Sequence, residues 1–210
     1  FVVAEYGRIG VPALGGAPIV KPRLGALLHD TDDSGLADRT QARFFTPGTL
    51  PDSGRYTRPQ TAPSRALAGY AAGAVPPLAR YERTPQGLRW SLDERCYADY
   101  ARALLPETAR YAAGALELLF RGRLEVTVAH GAATVTAREL ALGRGTLSVY
   151  ADVGVAPRRL VQARTVAGAG IGGAIAEIAV PAGARHVAAV FRGVDAAGEP
   201  LVVVQEQTIK

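Results

Sequence analysis

Alternation of apolar and polar residues after Arg123, a block of helix formers just before it, and a proline- and glycine-rich first 90 residues predict an α+β chain that is mainly β. The last part is the most regular. RLEVTVA, ATVTARELAL, GTLSVYADV, RRLVQARTV, AIAEIAV, RHVAAVFRG and PLVVVQEQ alternate with a period of two, and Gly, Pro or Asp-containing turns separate them. Short strands spaced by roughly ten residues predict an antiparallel immunoglobulin-like β-sandwich over 123–210.

Before it, SLDERCYADYARALLPETARYAAGALELLFRG is rich in strong helix formers. Ser91 and Glu94 have capping-box spacing, and Tyr97, Tyr100, Leu104, Tyr111, Leu118 and Leu119 recur along one side of a helix. Pro106 removes a backbone donor, so a kinked helical pair is expected over 91–122, with pieces near 92–104 and 107–120. Residues 1–90 hold most of the prolines, in phrases such as GVPALGGAPIVKPRLG and AVPPLARYERTPQG. Proline restricts its predecessor as well as itself, which predicts an irregular layer or arm with one short helix from about Gly35 to Phe45.

Charge and composition narrow the function classes. The net charge is +5, and among 24 basic residues only Lys21 and Lys210 are lysines. The arginines are scattered, with no basic run interleaved with aromatic rings, so nucleic acid is not the expected partner. One cysteine, Cys96, leaves no intrachain disulfide framework, and its helical context suits a small buried hydrophobe. No run of 18 apolar residues is present, so no transmembrane helix is expected. A chain that starts at Phe1 and lacks methionine is expected to be a processed product or an excised fragment of a longer protein.

The run from Tyr97 through LLPETARYAAGALELLFRG into alternating strands, ending in VAAVFRGVDAAGEPLVVV, resembles the C-terminal helix-plus-sandwich region of large exported bacterial proteins whose front portion is similar to zinc-dependent phospholipase C. The resemblance covers about half of the chain. It implies export, to the cell surface, periplasm or medium, and an accessory role. The histidines that bind metal in that family have no counterpart here, so no catalytic residue carries over.

The sharpest local motif is HDTDDSGLADRTQ. Asp30, Asp32, Ser34, Gly35 and Asp38 fall where a calcium loop places its first, third, fifth, sixth and ninth residues, making Asp30, Asp32, Ser34 and Asp38 candidate Ca2+ ligands. Position twelve is Gln41, which supplies no bidentate carboxylate; the competing expectation is an Asp-rich turn in which Asp33 or Ser34 caps the next helix. His29-Asp30 has the form of a metal dyad, yet only His130 and His186 remain to complete such a site. GAGIGGA, residues 168–174, has GxGxxG order but too little chain after it for a nucleotide-binding half, which predicts a flexible strand connection. Ser53 or Ser148 with His130 or His186 are the remaining triad candidates, and no local motif recommends them.

These observations lead to an expected non-catalytic structural or binding module of an exported protein, engaging a protein partner or copies of itself. The alternatives are an accessory part of a phospholipase-like hydrolase and a carbohydrate-binding sandwich.

Overall fold

The computed structural model describes residues 16–43, 67–71 and 79–209. The chain divides into two compact units, Phe1–Ala115 and Leu116–Lys210. Among the described residues it is mostly β, with three antiparallel sheets. No helix among them is long and apolar enough to cross a membrane.

The first unit holds helices α1 (Leu24–Leu28) and α2 (Leu36–Arg43), strands β1 (Ala68–Ala71), β2 (Ala79–Thr84) and β3 (Gly87–Ser91), and most of helix α3 (Glu94–Leu119). The sheet, in the order β1-β2-β3, gives 68–71 and 79–91 a regular structure that the expectation of an irregular layer did not include. Pro85 does not interrupt the ladder: it sits in the turn between β2 and β3, where its missing N–H is not needed. Strand β2 alternates, with Ala79 and Tyr81 buried and Arg80 and Glu82 exposed. Tyr81 lies opposite Trp90 on β3, and their rings meet edge to face at 6.0 Å between centroids.

Helix α3 is one helix, not two, and Pro106 lies inside it. An interior proline costs about 3 kcal/mol in an isolated helix. Contacts on both sides of Pro106 offset that cost. Upstream, Cys96, Tyr100 and Ala101 are buried. Downstream, Glu107, Arg110, Tyr111 and Gly114 form one face, at helical spacing, that grips the segment 17–39. Arg39 donates to Glu107 at 2.8 Å, Arg110 Nε to the Ala17 carbonyl at 2.8 Å, Ile19 N to the Arg110 carbonyl at 3.1 Å, and the Tyr111 hydroxyl to the Ser34 carbonyl. The cap also differs from expectation. Asp93, not Ser91, starts the helix, accepting from Cys96 N at 3.1 Å while its other oxygen accepts from the Tyr70 hydroxyl at 2.6 Å. Asp93 is better placed because β3 still occupies Ser91.

The second unit bears out the seven predicted strands. They are β4 (Leu124–Ala129), β5 (Ala132–Ala137), β6 (Leu142–Val153), β7 (Arg159–Val166), β8 (Ala174–Ala179), β9 (Ala184–Asp195) and β10 (Pro200–Thr208). They form one sheet of order β4-β5-β8 and another of order β10-β9-β6-β7. A single buried cluster draws on both, including Leu124, Val135 and Ile178 from the smaller sheet and Leu147, Val187 and Phe191 from the larger. Each such side chain contributes about 1.5–3 kcal/mol when fully buried. His130 and Gly131 both have positive φ (51° and 78°) between Ala129 and its partner Ala132, the two-residue turn that suits the twist of a hairpin.

Asp195 is the only buried charged residue among those described. One of its oxygens accepts from Ala197 N at 2.8 Å and Glu199 N at 2.9 Å, closing the β9–β10 turn; the other accepts from Arg121 Nη2 at 2.6 Å. Arg121 also donates to the carbonyls of Leu118 and Pro200, tying the end of α3 to that turn. Phe-Arg-Gly occurs at both 120–122 and 191–193 without a shared role: Arg121 is a staple beside an exposed Phe120, whereas Arg192 is exposed beside a buried Phe191.

Two outcomes are expected from denaturant melts. Gly114→Ala, ordinarily stabilising in a helix, lowers stability by about 2 kcal/mol because its Cβ meets the Ile19 carbonyl, whereas Gly25→Ala in α1, with open space around it, does not. Asp195→Ala costs about 2–3 kcal/mol by leaving Arg121 and two turn amides without their acceptor.

Candidate functional site

The loop between α1 and α2 gathers the sequence-predicted residues, but around an ammonium group. Lys21 Nζ donates to Asp30 Oδ2 at 2.6 Å and to the Ser34 hydroxyl, and lies 3.8 Å from Asp32 Oδ1. Asp30 Oδ1 accepts from Thr31 N at 2.8 Å, while Asp32 accepts from the Ser34 hydroxyl and from Ser34 N at 3.1 Å. Asp38 is turned elsewhere. Its Oδ2 accepts from Asp30 N at 2.9 Å and Gly35 N at 3.1 Å, and its Oδ1 meets His29 Nδ1. Three of the four candidate calcium ligands thus converge on Lys21, and the fourth serves the backbone.

The cap of α2 is a correction in detail. Neither Asp33 nor Ser34 caps it; Asp38, in the first turn, reaches back to the N–H of Gly35, the reciprocal half of a capping box. The left-handed residue of the loop is Asp33, at φ 56°, rather than Gly35. Gly35 is required for another reason: a Cβ there would collide with the Leu28 carbonyl oxygen. The sharp turn that the calcium pattern assigns to its glycine is therefore made two residues earlier.

The charges reinforce one another. Lys21 holds the Asp30 carboxyl below the usual carboxylate range, helped by the Thr31 amide. The Ser34 hydroxyl does the same for Asp32, and the Asp30 amide, His29 and Gly35 for Asp38. Asp30 in turn raises Lys21. Among the described residues, no three His, Cys, Asp or Glu side chains converge as a metal ion requires. Sequence inspection missed Lys21 because it lies nine residues before Asp30, outside the loop pattern; its being the one lysine of the first unit was the available signal.

The other candidates are dispersed. Ser53 lies outside the described residues. Ser148 lies opposite Val190 on the outer face of the larger sheet, His130 is in the β4–β5 turn, and His186 on β9 faces Asp152 and Thr208. No hydrogen bond among the described residues joins Ser148 to either histidine. GAGIGGA connects β7 to β8 without a following helix, as expected, but it is not loose: Ala169 exchanges both backbone hydrogen bonds with Leu142, and Gly172 N donates to the Ala137 carbonyl at 2.7 Å. Cys96 is fully buried, and burial pushes its thiol up, away from the reactive thiolate.

A polar cleft of about 530 Å³ opens in the second unit, lined by Arg123, Glu125, Arg138, Glu139, Gln205 and Gln207. The core-facing side of β10 runs Leu201, Val203, Gln205, Gln207, so glutamines stand where the alternation would place apolar residues. Arg138 Nε donates to Glu125 at 2.9 Å, and Arg123 is 3.8 Å from Glu139. Ion pairs thus balance the walls, leaving a neutral, hydrogen-bonding surface.

Comparison with known protein families and with curated proteins returns no match for this chain.

Lys21→Met is expected to lower the melting temperature by leaving Asp30 and Asp32 facing each other uncompensated. For Asp30, Asp32 and Asp38 the folded values lie below the ordinary 3.8, so their contribution is complete above that pH and is lost as pH falls through the lowered values. Acid melts of wild type and Lys21→Met converge in that window. Calorimetry with millimolar calcium gives no binding heat in the wild-type chain, because the cation must displace Lys21.

Proposed function

We propose that this chain is a non-catalytic structural or binding module of an exported bacterial protein, carried by an immunoglobulin-like sandwich. The supporting observation is strand order. In the second unit the first, second and fifth strands share one sheet, while the seventh, sixth, third and fourth share the other. Immunoglobulin-like folds likewise keep first, second and fifth strands apart from third, sixth and seventh. Here the fourth strand lies beside the third. Such a scaffold exposes two outer sheet faces, open edge strands and the loops at either end, surfaces suited to partner recognition rather than to enclosing a reaction. The dispersed serine and histidines and the inert Cys96 agree with that role. Export is supported by the resemblance to the C-terminal region of the phospholipase-C-like proteins, which also makes an accessory part of such a hydrolase the rival.

The polar cleft favours a second reading, a carbohydrate-binding sandwich. Glutamine amides and paired charges offer donors and acceptors to sugar hydroxyls without net charge. Its expected signature is selective retention on a glycan array that Gln205→Ala/Gln207→Ala removes.

The leading proposal is checked by light scattering after size exclusion, together with a phospholipid hydrolysis assay. Self-association or a stable complex without turnover is expected. A compact monomer that binds nothing counts against the module, and hydrolysis by the purified chain sinks the non-catalytic assignment.

A further inference from the structure

We infer that the open edge of β7 is a docking site for an extended acidic segment of a partner protein, which joins the larger sheet as a fifth strand. The inference rests on the binding-module function proposed above and specifies its partner chemistry. Strand β7 ends the sheet order β10-β9-β6-β7 and pairs with β6 alone. Its eight residues are exposed except Val161 and Val166, and along its free side the backbone N–H and C=O groups have no strand partner among the described residues. Such a row is a template for another extended chain.

Charge selects the occupant. Arg159 and Arg164 lie five residues apart, and in a regular strand an odd separation puts side chains on opposite faces. The register shift at Val149/Tyr150 changes that: Ala151 pairs with Arg159, Val149 with Gln162 and Leu147 with Arg164. Ala151, Val149 and Leu147 all point into the core, so Arg159, Gln162 and Arg164 stand on one side of β7 as a single row. Both arginines are exposed, so the smaller sheet does not cover them. Neither has a carboxylate partner among the described residues, whereas neighbouring Arg158 is held by Asp152 and Glu206. β7 itself carries no acidic residue. An incoming strand that meets this row needs carboxylates on one face, four residues apart to match Leu147 and Ala151, and small or β-branched residues on the other, toward Leu160 and Ala163.

The rival explanation is that the arginines guard the edge against pairing. The test uses the full chain and a labelled, end-blocked peptide of sequence Thr-Glu-Val-Thr-Val-Glu-Val-Thr, followed by fluorescence anisotropy. Saturable binding is expected, weakened about tenfold or more by Arg159→Glu/Arg164→Glu, weakened by added salt, and abolished when alternate peptide amides are N-methylated. The neutral pair Arg159→Gln/Arg164→Gln, checked by thermal melting, is read in place of the reversal if that variant fails to fold, and is expected to weaken binding too. Four results each overturn the inference: no binding to the wild-type chain, binding indifferent to the substitutions, equal binding of the N-methylated peptide, or self-association through β7 once the arginines are neutralised, which is what a guard predicts. Failure here with a stable complex still seen by light scattering removes the β7 edge and leaves the module intact; a non-binding monomer removes both.

Discussion

The apolar core enclosed between the two sheets of the second unit is the constraint on which that half of the protein depends. Period-two alternation gives each strand one apolar face, and a sheet with one apolar face is stable only when another surface covers it. Leu124, Val135 and Ile178 on one side meet Leu147, Val187 and Phe191 on the other. Everything else about the unit adapts to that enclosure, including the pinned GAGIGGA connection and the Asp195–Arg121 staple that closes the β9–β10 turn without leaving a buried charge unpaired. Burial alone pushes the Asp195 carboxyl up, and Arg121 with the amides of Glu199 and Ala197 outweighs it, so the acid stays ionised and the staple holds at neutral pH.

In the first unit the organising element is one face of α3. Glu107, Arg110, Tyr111 and Gly114 hold the segment 17–39 by its backbone and side chains, and the same segment presents Lys21 to Asp30 and Ser34. The acidic loop and the long helix are therefore one structure: the Tyr111 hydroxyl bonds the carbonyl of Ser34, the residue that also receives the lysine. A loop with calcium spacing holds a cation of the chain's own, Lys21, against Asp30 and Ser34. Its acidity serves local order through hydrogen bonds to Lys21 and to the loop amides.

The cationic row on β7 shows how a small irregularity sets which side chains share a face. Without the register shift, Arg159 and Arg164 would face opposite sides and act as two unrelated surface charges. With it, they share a side next to an open hydrogen-bonding edge. An open edge of this kind is a template for pairing, and the exposed charges beside it bias which chain can join it.

Alternating residues from Leu124 to Thr208 determined the seven strands, because a half-buried strand must alternate whatever it packs on. The buried state of Cys96 was equally local and equally legible. What only the tertiary structure decided were matters of distance along the chain. Pro106 sits inside a continuous helix whose downstream face grips a segment far earlier in the chain, strands pair at 68–71 and 79–91 within a proline-rich composition, and Asp30 meets Lys21 in a loop held by the Tyr111 hydroxyl, 77 residues after Ser34. Local pattern fixes which face of a strand or helix is apolar; which surface meets it is set by contacts that no short stretch of sequence contains.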